Sequence, residues 1–136
     1  MDRTLVICKP DAVERGLVGE ILGRLERKGL RLVACELRTI EEQTATIHYS
    51  EHVGKPFFAE LVSFITRSSA LIVVAEGPSD TWAVVRTLMG PTNPAEAPPG
   101  TIRGDLGILL TENLVHGSDS LESAEREIAL FFPDLD

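Results

Sequence analysis

The residues best placed to do chemistry lie close together in Asn113-Leu-Val-His116-Gly-Ser118-Asp119-Ser120, which sets an imidazole beside a glycine, two hydroxyls and a carboxylate. A neutral imidazole can attack phosphorus or accept a proton, and a glycine next to it lets backbone and substrate approach closely. The same string also fits a plain turn into a helix, with Ser120 as N-cap and Glu122 in the first turn. Glu127 falls on that helix, where a carboxylate either hydrogen-bonds the ring or decorates a surface. Cationic groups stand at the ends of predicted elements or in irregular chain: Lys9, Arg15, Arg86 and Arg103. Arg103 sits in Gly100-Thr-Ile-Arg-Gly-Asp105, where a guanidinium can grip phosphate oxygens or pair with Asp105. Thr92, between Pro91 and Asn93-Pro94, offers a hydroxyl to a phosphate or to a turn. His48 and His52 flank Tyr49 at the i, i+4 spacing of a metal pair, but no HExxH glutamate follows His48, and no protein metal cage is expected. Neither a P-loop nor a GxGxxG motif is present, which leaves the histidine as the candidate nucleophile.

These groups have to be positioned by elements that the hydrophobic pattern outlines. Thr4 to Lys9 is a nearly continuous apolar run stopped by Pro10, as in a strand buried on both faces, with Lys9 at its carboxyl end. Val18, Ile21, Leu22 and Leu25 recur at helical spacing up to Gly29. A second strand spans 30–40, and 41–49 has helix-forming composition. After Pro56, Phe58, Leu61, Val62 and Ile65 form another helical stripe, and 70–76 is a third strand. Ser79 or Asp80 can cap a helix facing the core through Trp82, Val85, Leu88 and Met89, ended by Gly90-Pro91. Four prolines between Pro91 and Gly104 predict a long ordered loop. The last strand is expected within 106–111, and Ala124, Ile128 and Phe131 give the last helix its stripe.

With the helical pair taken as an insertion, the order is βαββαβ, an α/β (α+β) arrangement of the ferredoxin-like kind with a four-stranded antiparallel sheet; a doubly wound parallel sheet is the alternative. Helices on one face would leave the other bare, so self-association is expected. The chain of 136 residues, 43% hydrophobic, suits one domain over 1–136. Cys8 and Cys35 lie in apolar runs and read as buried free thiols in a reducing compartment. With no membrane-length apolar run and no signal-peptide pattern, a cytoplasmic location is expected. Twenty-one acidic against thirteen basic residues, a net charge of −8, argue against a nonspecific nucleic-acid or membrane-surface binder, and no specific nucleic-acid partner is expected, so an anionic substrate needs a local basic cluster.

Lys9-Pro-Asp, Arg15-Gly-Leu-Val-Gly-Glu20, His48-Tyr49, Gly54-Lys-Pro-Phe-Phe58, Gly100-Thr-Ile-Arg-Gly-Asp105 and the block Asn113 to Ser120 closely resemble the nucleoside diphosphate kinases, in register from about Arg3 to Phe132. The chain departs from the commonest pattern at Ala12, Ser69-Ala70, Pro91 and Leu106, none of them a contact position. The resemblance implies a ping-pong transfer of the terminal phosphoryl group from a nucleoside triphosphate, typically ATP, to diphosphates through a phosphohistidine on His116, with little base specificity. It implies that Lys9 and Tyr49 act at the transferred phosphate and the ribose 3′-hydroxyl, with Asn113 at the sugar. Arg86, Thr92 and Arg103 would hold phosphates, Phe57 would stack on the base with Leu61 nearby and Leu110 opposite, and Ser118 and Glu127 would support His116. Mg²⁺ carried by the nucleotide phosphates, and a homo-oligomer with a hexamer favoured over a tetramer or dimer, are likewise implied.

Overall fold

The computed structural model describes residues 1–136. Strand β1 (Asp2–Cys8) runs into a short helix α1 (Pro10–Glu14), opened by Pro10 where a missing N–H costs nothing. Helix α2 (Val18–Arg27) buries Ile21 and Leu25, and Gly29 at φ +101° turns the chain into β2 (Arg31–Arg38). Helices α3 (Glu42–His48) and α4 (Phe58–Thr66) follow, with a 3-10 turn at Ser50–His52 between them, and lead to β3 (Ala70–Gly77). Helix α5 (Thr81–Met89), a 3-10 turn at Pro94–Glu96, helix α6 (Ile102–Leu106), strand β4 (Val115–Gly117) and helix α7 (Leu121–Phe131) complete the chain.

The four strands pair antiparallel in the order β2-β3-β1-β4, which is the ferredoxin-like arrangement and rules out the parallel alternative. Side chains of β1 and β3 alternate between two cores. Val6, Cys8, Leu71 and Val73 pack with Ile21 and Leu25 of α2 and Val85 and Met89 of α5. Leu5, Ile7, Ile72 and Val74 pack with Ala45 and Tyr49, with Val62 and Ile65 of α4, and with Phe131 of α7. Each fully buried Leu or Ile contributes about 1.5–3 kcal/mol, so neither layer is incidental.

Both sheet faces are therefore covered, which corrects the expectation of a bare face. The supposed insertion, α3 and α4, joins α7 to cover the side that the βαββαβ pattern leaves open. What stays open is an edge: β2 is an outer strand, and Cys35, Glu36 and Leu37 are exposed on it. Cys35 is thus an exposed thiol, while Cys8 is buried as expected.

Three local expectations also change. The segment before the last strand is not one loop, since Pro94–Glu96 and α6 punctuate it; Thr101 caps α6 by accepting the Gly104 N–H on its hydroxyl. The last strand lies at Val115–Gly117 and not within 106–111, where Ile108, Leu109 and Leu110 are exposed. Asp80 precedes α5 at φ +64° but makes no side-chain cap; the Thr81 hydroxyl instead donates to the Pro78 carbonyl. Ser120 does cap α7, accepting the Ser123 N–H at 3.0 Å.

Candidate active site

The relocation of β4 places the histidine in the sheet itself. His116 is in register with Ile7 of β1, and the pleat sends Val115 and Gly117 towards α5 and His116 towards α3 and α7. Gly117 is needed there, because a Cβ on it would lie 2.5 Å from Met89 Sδ and 3.2 Å from Val85. His116 opens into a cleft of about 930 Å³.

On its other side the ring is held. His116 Nε2 lies 2.8 Å from Glu127 Oε1, and the Ser118 hydroxyl donates to the same oxygen at 2.7 Å. The helix turn from Ser120 brings Glu127 back under the strand, where it is 5% exposed. Burial alone would raise its carboxyl, but hydrogen bonds from His116 and Ser118 prevail and hold it below the usual range. An ionised Glu127 makes Nε2 the protonated nitrogen of a neutral ring and leaves the lone pair on Nδ1. Ser118 is fully buried behind the cleft wall and accepts the Leu5 N–H at 3.3 Å.

The cationic groups gather on the same cleft. Lys9, at the end of β1, donates from Nζ to Asn113 Oδ1 at 2.9 Å, and burial, then Arg103, lowers its ammonium to about 8. Arg86 donates to the Gly117 carbonyl at 2.9 Å. Arg103 is 4% exposed and donates to three carbonyls, those of Asn113 (3.1 Å), Gly90 (3.0 Å) and Val115 (2.7 Å). Its expected alternative partner, Asp105, pairs with Arg24 at 2.9 Å instead. Thr92 is exposed at the rim, and its carbonyl accepts Asn113 Nδ2 at 3.0 Å. Arg15 lies away from the cleft and donates to the Leu106 carbonyl.

Tyr49, Phe57, Leu61 and Leu110 line the cleft as well, Phe57 and Leu110 being 44% and 57% exposed. Burial, then Glu127, raises the Tyr49 phenol to about 12, so it stays protonated. Of the residues singled out from the sequence for the site, Ser118 stands one layer behind the cleft and Arg15 lies away from it; the others line it.

Two contributors were missed. His48, weighed as a partner of His52, turns inward: its ring centroid is 4.6 Å from that of His116, and its Nδ1 has no partner. His52 faces Lys55 instead, Nδ1 to Nζ 3.3 Å. Phe64 also lines the cleft, with the Arg67 guanidinium 4.8 Å from its ring centroid. The spacing of Phe57, Leu61 and Phe64 at i, i+4 and i+7 carried that signal, hidden under the stronger Val62 and Ile65 stripe.

The arrangement offers a nitrogen nucleophile, a buried carboxylate to absorb charge developing on the ring, four cations (Lys9, Arg67, Arg86 and Arg103) and a flat aromatic face. Comparison with known proteins agrees. The family model described as nucleoside diphosphate kinase matches residues 2–136. A nucleoside diphosphate kinase of Saccharopolyspora erythraea is 60% identical over 135 residues, covering 98% of this chain and 98% of that protein. One from Frankia casuarinae is 59% identical over 135 residues, covering 99% and 98%. Among solved structures, a halophilic nucleoside diphosphate kinase from Halobacterium salinarum in complex with CDP has a TM-score of 0.94 at 52% identity, covering 98% of this chain and 88% of that one. The apo enzyme from Encephalitozoon cuniculi has a TM-score of 0.96 at 40% identity, covering 100% and 92%.

Proposed function

Because the chain belongs to the nucleoside diphosphate kinase family, we propose that its cleft moves the terminal phosphoryl group of a nucleoside triphosphate to a nucleoside diphosphate in two stages, with His116 Nδ1 carrying it between them. In the first, an Nδ1–P bond forms as the bond from phosphorus to the bridging oxygen breaks and a diphosphate leaves. In the second, a terminal oxygen of the incoming diphosphate attacks the same phosphorus and frees the ring. The observation that supports this most is the 2.8 Å contact of His116 Nε2 with Glu127. It fixes the tautomer and lets the carboxylate offset the positive charge that the ring gains during attack.

The other roles follow from chemistry and position. Lys9, Arg86, Arg103 and the Thr92 hydroxyl hold phosphate oxygens as charge spreads over them, with Tyr49 and Asn113 towards the sugar. Phe57, Leu61 and Leu110 clasp the base by contact and stacking, which every base allows, so discrimination among bases is weak. The single group of three ligand-type side chains, His48, His116 and Glu127, is rich in nitrogen, whereas Mg²⁺ demands oxygen. Mg²⁺ would instead travel on the nucleotide phosphates, where it would neutralise their charge. Residues 1–136 act as one domain, and the place of action is the cytoplasm. The open edge of β2, with Leu37 60% exposed, favours assembly into a homo-oligomer, a hexamer ahead of a tetramer or dimer.

The deciding experiment loads the protein with γ-labelled ATP, removes nucleotide and adds unlabelled diphosphates of each base. Acid-labile, base-stable label should form on His116 and pass to all of them, and be absent in His116→Ala, which still binds nucleotide. Label on a serine, or turnover retained without His116, overturns the reading. A spread in efficiency above roughly 10⁴-fold between bases would reveal hydrogen-bond readout of the base. Light scattering at micromolar protein tests assembly, and a monomer there contradicts it.

A further inference from the structure

Between the site residues Asn113 and His116 the backbone takes a path that an ordinary side chain resists. Leu114 has φ +74°, and the Val115 amide donates back across it to the Asn113 carbonyl at 2.8 Å. This is a three-residue turn of the rare, strained hand. Leu114 is fully buried, so it has neither a glycine's freedom nor solvent to relieve it, and the surroundings must hold it there.

Two contacts do so, both from the segment that carries Lys9. The Lys9 backbone N–H donates to the Leu114 carbonyl at 2.9 Å. The Leu114 N–H donates to Asp11 Oδ2 at 3.1 Å. Asp11 lies in the first turn of α1, 1% exposed, and its Oδ1 has no partner. Burial outweighs the Leu114 N–H and Lys9 and raises its carboxyl above the ordinary value. Stability alone is a poor reason to bury a carboxyl with one oxygen unmet.

We infer that Asp11 is a positioning residue for the phosphoryl transfer proposed above: by clamping the Leu114 amide it fixes the turn that sets Asn113 and His116 against Lys9. The turn's flanks explain why the effect reaches the reacting atoms. Asn113 Oδ1 accepts from Lys9 Nζ, and the carbonyls of Asn113 and Val115 accept from Arg103. Relaxation at Leu114 would displace nucleophile, lysine and arginine together, while Asp11 itself lies outside the cleft lining.

This inference rests on His116 as phosphoryl carrier, and the test keeps the two apart. Rapid-quench labelling with γ-labelled ATP, diphosphate binding by titration calorimetry and hydrogen exchange at the Leu114 amide are measured in wild type, Asp11→Ala and Asp11→Asn. Asp11→Ala should label His116 about 10²-fold more slowly with dissociation constants within about threefold, and its Leu114 amide should exchange at least about tenfold faster. Asp11→Asn keeps an oxygen acceptor and should recover to within about tenfold of wild type. A lower melting temperature with an unchanged labelling rate per folded molecule overturns the inference. Where Asp11→Ala does not fold, Asp11→Asn decides: exchange and labelling rate must shift together, and faster exchange at an unchanged rate overturns the inference. A wild type that takes no label on His116 sinks the carrier reading instead, and the exchange data then judge the clamp alone.

Discussion

The imidazole rings of His48 and His116 stand edge to face, 4.6 Å between centroids and 81° between planes, and the Phe131 ring lies 5.5 Å from that of His48. Burial, followed by the neighbouring His116, pushes His48 down to about 3. The unfolded chain takes up a proton there near pH 6.5, and the folded chain does not until about pH 3. The stability due to a neutral His48 is thus present above pH 6.5 and is lost as pH falls, by about 1.4 kcal/mol per unit. Denaturant unfolding at about pH 7.5 and about pH 5 should show wild type losing about 2 kcal/mol more than His48→Gln. Equal losses would remove His48 from the acid limb.

Lys9 governs the alkaline side. With its ammonium at about 8, it is a cation below that pH and neutral above it. Since kcat/KM reports the free enzyme, it should decline as pH rises through about 8, and Lys9→Arg, slower throughout because its charge has another shape, should lack the decline. A wild-type profile flat across this range would mean that the Lys9 charge is not used.

Glu127→Gln keeps the volume and a hydrogen-bonding oxygen but loses the charge that faces the ring at 2.8 Å. Turnover should fall roughly 10²-fold with nucleotide dissociation constants almost unchanged, because developing positive charge belongs to the transition state. Turnover within about threefold of wild type would reduce Glu127 to a packing residue.

Gly104 tests the frame around the cleft. A Cβ there would lie 2.0 Å from the Pro98 carbonyl oxygen and 2.7 Å from the capping Thr101 hydroxyl. Gly104→Ala should therefore cost about 1–3 kcal/mol, read as a lower melting temperature. An unchanged melting temperature would show that the segment yields freely.

Much of this architecture was legible in the sequence, and the failures have physical causes. The helical stripes of α2 and α7 and the turn cap at Ser120 needed only local rules. Strand β4 did not: three residues are too few to show a period, and the apolar run Ile108 to Leu110 imitated a strand while lying exposed. The bare sheet face was an error of inference rather than of signal. Continuous apolar residues in β1 already required cover on both sides, and that outweighed the expectation set by a βαββαβ topology. In the site, residues near one another in sequence or typed for charge were found, whereas His48 reached His116 only through the packing of α3 against α7, which no spacing within one element encodes.

Arg103 has one consequence for recognition that its place in the frame determines. A guanidinium has five N–H donors, and three carbonyls, Gly90 on one stretch of backbone and Asn113 and Val115 on another, engage three of them, leaving two. Most arginines surrender about 1.5–2 kcal/mol of rotamer freedom when they close on an anion. This one has surrendered it during folding, so a phosphate meeting its two remaining N–H groups encounters a donor already immobile and already stripped of water. In the phosphate-holding role proposed for Arg103, selectivity for a phosphate at one depth in the cleft would be a property of the folded backbone, set before any nucleotide arrives.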